Sequence, residues 1–332
     1  MNNTTLAENY SCSSLWPLGM PKAHLFVWAS LLAVLSPVTI VSNLVLIYAL
    51  QKTKQLASIT NKLVCIMCIS DLCTGLFVLP GITAMIALED KLRNCTFELT
   101  MQYMAFVLAY FSFFILMSVS LDRYLHVTKP YRYKQLVNEF RMKVLVAAAF
   151  LVSCTVAAIS ITYPSFVIQV ILNVTDISCV VIVFILYVFV FKKISKHKEN
   201  IRKFMRENGA KKAKRAACRE ISATKTIRVL LVTLFALYLP YNFSSAAWTY
   251  YKFKLVTEPG LGLDVVEYIS YIIVFANASA NAIIFGLGNT STRRFLKQLV
   301  GYSLKSQQST LSTDGIGSDA TSETSNAGKY NV

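Results

Sequence analysis

Ser120-Leu121-Asp122-Arg123-Tyr124 ends an apolar run that begins near Met101. An aspartate followed by an arginine therefore stands where a membrane helix would leave the bilayer. Ionisable side chains at that depth are costly, so they usually face other helices or water and have a function. For this pair alone, the simpler interpretation is an arginine that extends its charge to the interface beside an incidental aspartate. The rest of the chain decides between the two.

The composition of the chain indicates a membrane protein. It has 332 residues, of which 55% are hydrophobic and 15% are charged, and its mean hydropathy is +0.51, whereas a soluble domain carries about a quarter charged residues. Seven apolar runs are each near or above the ~20 residues that a helix needs to cross the hydrocarbon core. They span residues 26–50, 63–88, 100–121, 143–163, 166–191, 229–251 and 265–288. We therefore predict an all-α membrane protein, a seven-transmembrane helix bundle.

The division between the fourth and fifth runs is the least marked of these. Only Tyr163-Pro164-Ser165 separates them. Proline disrupts a helix, and a single helix of about 49 apolar residues would far exceed the ~30 Å hydrocarbon core. We therefore expect two helices with a break at this proline.

The basic residues predict the orientation in the membrane. In this topology, 28 of the 33 lysines and arginines lie on one side of the membrane, which the positive-inside rule assigns to the cytoplasm. We expect a multi-pass protein of the plasma membrane with its N-terminus outside and its C-terminus inside. The net charge of +16 follows from this topology, and no basic surface interleaved with aromatic residues points to nucleic acid.

The two ends of the chain differ from the apolar runs. Residues 1–25 are polar, so the first helix is expected to act as the targeting signal. In this tail Asn2, Asn3 and Asn9 begin Asn-x-Ser/Thr triplets and are predicted glycosylation sites. After the seventh run, the basic and amphipathic residues 293–300 suit a short cytoplasmic helix on the anionic inner leaflet. Residues 303–332 are rich in serine and threonine and are predicted to be disordered.

The residues after Tyr124 carry a family pattern. Pro130 lies seven residues after Arg123, and Leu136-Val137 follows it. This stretch resembles the class A (rhodopsin-like) G-protein-coupled receptors, whose third helix ends in Asp-Arg-Tyr with a loop proline at that distance. The resemblance makes residues 26–302 the seven-transmembrane receptor domain, between an extracellular tail at 1–25 and a cytoplasmic tail at 303–332.

The resemblance implies a function. The protein is expected to be a cell-surface receptor, not an enzyme, that converts binding of an extracellular ligand into activation of a heterotrimeric G protein through movement of helix 6. A peptide or a lipid is the ligand class we favour, and a small molecule is the other one considered. Membrane lipid and, after phosphorylation of the tail, arrestin are the further expected partners.

Two receptor groups are closest in pattern. Residues Glu220–Lys225 and Phe235–Pro240 are similar to the adenosine receptors in helix 6. A very short second outer loop without a cysteine, with Cys179 where most of the family has proline, is similar to the melanocortin receptors. We therefore place the chain near the adenosine and melanocortin cluster.

A set of polar residues within the apolar runs matches a cation pocket of the family. Asp71 lies midway along the second run, Ser112 is in the third, and Asn277 and Asn281 share one face of the seventh. Hard oxygen ligands suit a small hard cation. The resemblance implies that these four residues hold an allosteric sodium ion, and no other cofactor is expected. A plain cluster of hydrogen bonds is the alternative.

The resemblance also assigns the coupling residues. Asp122, Arg123 and Tyr124 end helix 3, and Glu220 stands where a carboxylate pairs with that arginine in resting receptors. We expect Arg123 to pair with both Asp122 and Glu220 in the resting state. Tyr187 of helix 5 completes the set, although Phe285 removes the hydroxyl that Tyr187 would meet through water in an active receptor.

Three family signatures are altered in this chain. Tyr238 replaces a tryptophan of helix 6, Phe150 or a neighbour replaces the tryptophan of helix 4, and Ala282 and Phe285 replace the proline and tyrosine of the helix 7 motif. Loss of that proline removes the usual cause of a kink. A weak active state is the expected consequence.

Carrying the family's ligand cleft onto this chain gives an aromatic, mostly apolar pocket with acids at its rim. Ala105 stands where amine receptors have an aspartate, so a biogenic amine would lack that counter-ion. Ser245 replaces the asparagine that binds adenosine. The predicted lining is Gly81, Glu98, Gln102, Ala105, Phe106, Ala109, Tyr238, Tyr241, Asn242, Ser245, Tyr268, Tyr271 and Phe275.

The cysteines predict an unusual outer clamp. Only Cys12 and Cys95 face the oxidising side outside the predicted helices. The family's bridge from helix 3 to the second outer loop is missing, because Glu98 stands at the helix 3 position. A Cys12–Cys95 disulfide is the predicted substitute.

Two other functions are considered, an adenosine-like nucleoside receptor and a non-signalling seven-helix transporter. A transporter more often shows paired broken helices or internal repeats, which this sequence lacks. Enzyme chemistry is also disfavoured, because His24, His126 and His197 are too scattered for a zinc hydrolase.

Overall fold

A computed structural model describes residues 22–87, 95–129, 131–163, 165–208, 236–250, 261–289, 291–298 and 301. These residues form long helices joined by short connections, and no strand occurs among them. We number the helices in chain order: α1, Lys22–Lys52; α2, Ile59–Ala87; α3, Cys95–Thr128; α4, Glu139–Thr162; α5, Phe166–Asn208; α6, 236–250; α7, Leu261–Gly288; and α8, 291–298.

Six of the seven predicted apolar runs are helices long and apolar enough to span a membrane, α1 to α5 and α7. The remaining run, 229–251, is described over 236–250 and is helical there. The helical fold class predicted from the apolar runs is therefore confirmed. Residues 1–21 and 302–332, which contain the predicted tails, lie outside the described residues.

The predicted break between the fourth and fifth runs is confirmed. Helix α4 ends at Thr162 because Tyr163 leaves the helical conformation, with φ −126° and ψ 67°. Helix α5 then begins at Phe166. In the connection between the two helices, the Ser165 N–H donates to the Tyr163 carbonyl over 2.7 Å.

Helix α2 contains a π-helical turn at Thr74–Val78. Such a turn widens the helix by one residue and rotates the next part of the helix about its axis. At this turn the Gly75 carbonyl accepts a hydrogen bond of 2.8 Å from the Ser36 hydroxyl of α1. A Cβ at Gly75 would lie 3.0 Å from Ile40 and 3.3 Å from Thr39, so α1 and α2 approach closely because this residue has no side chain.

The inner half of the bundle contains the larger hydrophobic core, to which α2, α3, α5 and α7 each contribute buried residues. Met67, Ile115, Val183 and Ala282 are one such residue from each, and α1 and α4 also contribute buried residues to it. Asn43 connects α1 to α7, because its Nδ2 donates to the Ala278 carbonyl over 3.1 Å.

Helix α8 confirms the predicted amphipathic segment. Phe295 and Leu296 are half-buried, and the neighbouring arginines and lysine are exposed. The Phe295 ring lies 5.8 Å from that of Tyr48 in α1. Gln55 of the first inner loop donates to the Thr292 hydroxyl over 3.2 Å, so α8 is attached to the inner ends of α1 and its loop.

Candidate functional site

A cavity of about 70 Å³ lies between α3, α5, α6 and α7. Eight of the predicted pocket residues line it, namely Ala105, Phe106, Ala109, Tyr238, Tyr241, Asn242, Tyr271 and Phe275. Five further residues that the sequence did not predict also line it: Tyr110, Phe113, Asp176, Val180 and Val274. The described helices therefore bring together most of the predicted site.

The other predicted pocket residues do not line this cavity. Ser245 donates to Asn173 Oδ1 over 3.1 Å and connects α6 to α5. Tyr268 packs on Trp28 of α1, with 5.9 Å between the ring centroids. Glu98 is buried, Gly81 lies against Met101, and Gln102 is half-buried.

Tyrosines and one acid give the cavity its polar character. The Tyr110 hydroxyl lies 3.4 Å from Asp176 Oδ2, and the Tyr241 and Tyr271 rings are 5.4 Å apart. Among the described lining residues, Asp176 is the one charged side chain. The signal that could have found it is a carboxylate in the middle of the fifth apolar run, since such a residue is a candidate functional residue by default.

The structure brings together three of the four residues of the predicted cation pocket, Asp71, Ser112 and Asn281. The fourth, Asn277, lies one turn before Asn281 on α7. The side chains of Asp71, Ser112, Asn277 and Asn281 are all buried, with at most 5% of each residue exposed. Asp71 contacts Ser112 and Asn281. Their atoms do not reach hydrogen-bonding geometry, so these are contacts and not hydrogen bonds.

Several polar atoms of this cluster lack a hydrogen-bond partner. Asp71 Oδ2, Ser112 Oγ and Asn277 Oδ1 are buried without one, and so is the amide nitrogen of Asn281. Buried polar atoms normally have partners, so each orphan needs an explanation. Three of these four atoms are oxygens. Exchanging the oxygen and nitrogen positions of the Asn281 side-chain amide would place a fourth oxygen in the cluster. The donor set therefore fits a small hard cation.

Tyr238 connects the cavity to this cluster. It lines the cavity, its hydroxyl accepts a hydrogen bond of 3.3 Å from Asn277 Nδ2, and its ring lies 5.2 Å from that of Phe113. One side chain thus contacts both sites, at the position where the family usually has tryptophan. A change in the cavity has a direct route to the polar cluster.

Asp122 has different partners from those the sequence predicted. One carboxylate oxygen accepts a hydrogen bond from the Thr60 hydroxyl of α2, and the other accepts one of 2.7 Å from the Tyr133 hydroxyl. Between these two described residues the expected ion pair of Asp122 with Arg123 is not formed. That expectation was wrong because two hydroxyl groups already satisfy the buried carboxylate.

Tyr133 belongs to a short helical segment, Tyr133–Leu136, that precedes α4. Its ring packs edge-on against His126 with 4.9 Å between centroids. Burial, followed by the hydrogen bond to Asp122, raises the pKa of the Tyr133 hydroxyl. The hydroxyl therefore stays protonated and remains a donor to Asp122.

The other predicted coupling residues lie at the inner end of the bundle. Tyr187 is buried in the inner core, and its hydroxyl approaches Ser120. Tyr124 and Phe285 are half-buried against the same core. Glu220 lies outside the described residues.

Cys95, at the start of α3, is disulfide-bonded. The other described cysteines, at positions 65, 68, 73, 154 and 179, are free. Cys12, the predicted partner, lies outside the described residues, so the Cys12–Cys95 pairing stays a prediction.

Comparison with known proteins agrees with this arrangement. The sequence profile described as "7 transmembrane receptor (rhodopsin family)" matches residues 42–179. Over these residues the chain is similar to the rhodopsin family of seven-transmembrane receptors. The matched part of the chain contains the Asp-Arg-Tyr stretch and two of the four predicted cation-pocket residues, Asp71 and Ser112.

Individual relatives support the same family. The chain is similar to the histamine H1 receptor of Bos taurus, with 28% identity over 46% of this chain and 31% of the relative. It is also similar to the adenosine receptor A2b of Gallus gallus, with 31% identity over 40% and 37% of the two chains. For the histamine H2 receptor of Canis lupus familiaris the identity is 31% over 39% and 36%.

These matches span only about a third of the length of each relative. Each of these relatives is named as a receptor, which agrees with the prediction of a membrane receptor made from the sequence. The adenosine receptors of the predicted cluster are among the relatives.

Proposed function

We propose that this receptor binds an extracellular ligand in the cavity between α3, α5, α6 and α7 and converts that binding into activation of a heterotrimeric G protein. The observation that carries the proposal is the position of Tyr238, which lines the cavity and accepts a hydrogen bond from Asn277 of the polar cluster. A ligand that moves Tyr238 would change the packing of α6 against α7. Movement of α6 would then open the inner end, where Arg123 lies.

A small molecule is the ligand class that the cavity supports best. Its volume of about 70 Å³ corresponds to a few water molecules, which is too small for more than one side chain of a peptide. The relatives are named for histamine and adenosine, both small molecules. The peptide or lipid ligand favoured from sequence has less support from this volume.

The nucleoside alternative is less well supported. Ser245 stands at the position of the adenosine-binding asparagine but does not line the cavity. Its hydroxyl donates a hydrogen bond to Asn173 instead. The transporter alternative has no observation of its own among the described residues. It differs from a receptor in the assay below, because a transporter would activate no G protein.

We also propose that Asp71, Ser112, Asn277 and Asn281 hold a sodium ion in the resting state. The orphaned oxygens of this cluster support the proposal. When bound, the ion would neutralise the carboxylate of Asp71. An unpaired negative charge buried in an apolar interior is otherwise costly. The side chains themselves would supply the oxygen ligands and exclude lipid from the site.

Nucleotide exchange on purified G proteins tests the proposed function. The full chain is reconstituted in nanodiscs and assayed with and without pools of small amines, nucleosides, lipids and peptides. We expect exchange above the receptor-free rate, and we expect Arg123→Ala to abolish it with the protein still folded. Arg132→Ala is the matched control, because Arg132 is an exposed arginine of the adjacent loop. No exchange with any G protein or pool, or equal exchange in Arg123→Ala, would reject signalling through this site.

A further inference from the structure

We propose that the cavity recognises a small organic cation, with the carboxylate of Asp176 as its counter-ion. This inference rests on the proposed function, of which it names the ligand class. Its basis is an acid that no sequence motif assigned and that α5 places in the lining of the cavity.

The balance of charge in the cavity favours a cation. Among the described lining residues there is no lysine, arginine or histidine to oppose Asp176. The hydroxyl of Tyr110 contacts it at 3.4 Å, which is long for a hydrogen bond to a carboxylate. A partly buried carboxylate without a cation is costly, and a cationic ligand would remove that cost.

The aromatic lining suits the same ligand. Tyr110, Tyr238, Tyr241 and Tyr271 surround the cavity together with three phenylalanines. The faces of aromatic rings attract ammonium groups, and the attraction is larger where water is excluded. The tyrosine hydroxyls add acceptors for the N–H groups of an amine. A neutral ligand would use the apolar walls but would leave Asp176 unopposed.

The sequence alone argues against an amine ligand, because Ala105 of α3 replaces the aspartate that serves as counter-ion in amine receptors. The cavity contains Ala105 and Asp176 together. The counter-ion is therefore present, but it comes from α5 instead of α3. A ligand of this kind must be compact, because the cavity volume is about 70 Å³.

Thermal unfolding of the full receptor in nanodiscs tests this inference with isobutylamine as the probe, at constant sodium chloride concentration. Isobutanol, which has the same shape without the charge, is the neutral control. Because a ligand stabilises the state to which it binds, we expect the amine to raise the unfolding temperature and the alcohol to leave it unchanged. We expect Asp176→Asn to weaken the apparent affinity for the amine by about tenfold or more.

Two further variants complete the design. Glu139→Gln makes the same acid-to-amide change at an exposed position outside the cavity and should keep the wild-type affinity. Ala109→Leu keeps Asp176 but fills part of the cavity, and it should abolish the effect of the amine even where Asp176→Asn does not fold. Equal shifts with amine and alcohol, no shift with the amine, or a full shift in Asp176→Asn or Ala109→Leu would overturn the inference.

The failure of this inference can be distinguished from the failure of the proposed function. Amine binding without any G-protein activation would reject the signalling role and keep the cation site. Activation that persists with no effect of the amine on stability would keep the receptor and reject the cation site. Arg123→Ala should lose activation and retain amine binding, because Arg123 does not line the cavity.

Discussion

At the scale of single residues, Asp71 shows that a carboxylate in the middle of an apolar run lets the type of its neighbours be predicted from the sequence. Oxygen-bearing neighbours are expected from the sequence, because an unpaired carboxylate in the bilayer is expensive. The structure places Ser112 and Asn281 against Asp71 and buries Asn277 one turn before Asn281 on α7. Their orphaned atoms are better explained by an ion than by a closed hydrogen-bond network, which would leave few atoms unsatisfied.

The sodium proposal gives a prediction for Asp71→Asn. Wild-type receptor should become more stable to heat as sodium replaces a larger organic cation at constant ionic strength, because the ion binds the folded state. Asp71→Asn should lose this dependence, since the amide carries no charge to attract the ion. Glu139→Gln should keep it, because that acid is exposed and distant. Sodium-independent stability in wild type, or unchanged dependence in Asp71→Asn, would contradict the proposal.

Asp122 shows where residue-level reasoning from sequence stops. The pair Asp122-Arg123 suggested an ion pair, but adjacent residues on a helix do not face each other. The actual partners are Thr60 and Tyr133, and neither belongs to the Asp-Arg-Tyr motif. Hydroxyl partners on other segments depend on tertiary packing, so the motif alone could not identify them.

At the scale of helices, the apolar runs predicted where each element lies in the chain and that it is a helix, but they did not predict how long each helix is. The third run was predicted at 100–121, whereas α3 spans Cys95–Thr128, because a helix continues into the interface after its apolar stretch ends. The π-helical turn at Thr74–Val78 was not predicted. Its sequence is apolar like that of any spanning helix, and the turn lies where α2 contacts α1. The same limit applies to Asp176, whose direction into the cavity depends on how α5 is rotated.

The close approach of α1 and α2 gives the second prediction. Gly75→Val would push a β-branched side chain into Ile40 and Thr39, where even a Cβ has 3.0–3.3 Å of room. Overpacking of this kind costs about 1–3 kcal/mol, so we expect a lower unfolding temperature. Gly262→Val is the matched control in α7, because a Cβ at Gly262 meets nothing within 4 Å. Equal stability of the two variants would show that α1 and α2 separate without cost.

At the scale of the whole molecule, the cavity, the polar cluster and the inner end form a connected series. Tyr238 belongs to the first and contacts the second. The polar cluster lies next to the inner core that contains Tyr187 and Ala282. Coupling between distant sites requires an element with two arrangements that both sites influence, and α6 is the element that contacts the cavity and is expected to move.

Arg123 and Glu220 give the last prediction, which concerns the balance between resting and active receptor. Because the oxygens of Asp122 are occupied by Thr60 and Tyr133, Glu220 is left as the carboxylate expected to hold Arg123 in the resting state. Glu220→Ala should therefore raise ligand-free nucleotide exchange by shifting that balance about 1–3 kcal/mol, a usual coupling energy. Glu139→Ala removes an exposed acid that pairs with Lys62 and should leave exchange unchanged. Phe285 lacks the hydroxyl of the family motif, which weakens the active state and limits the rise. Unchanged ligand-free exchange in Glu220→Ala, measured at equal surface expression, would mean that another group holds Arg123 at rest.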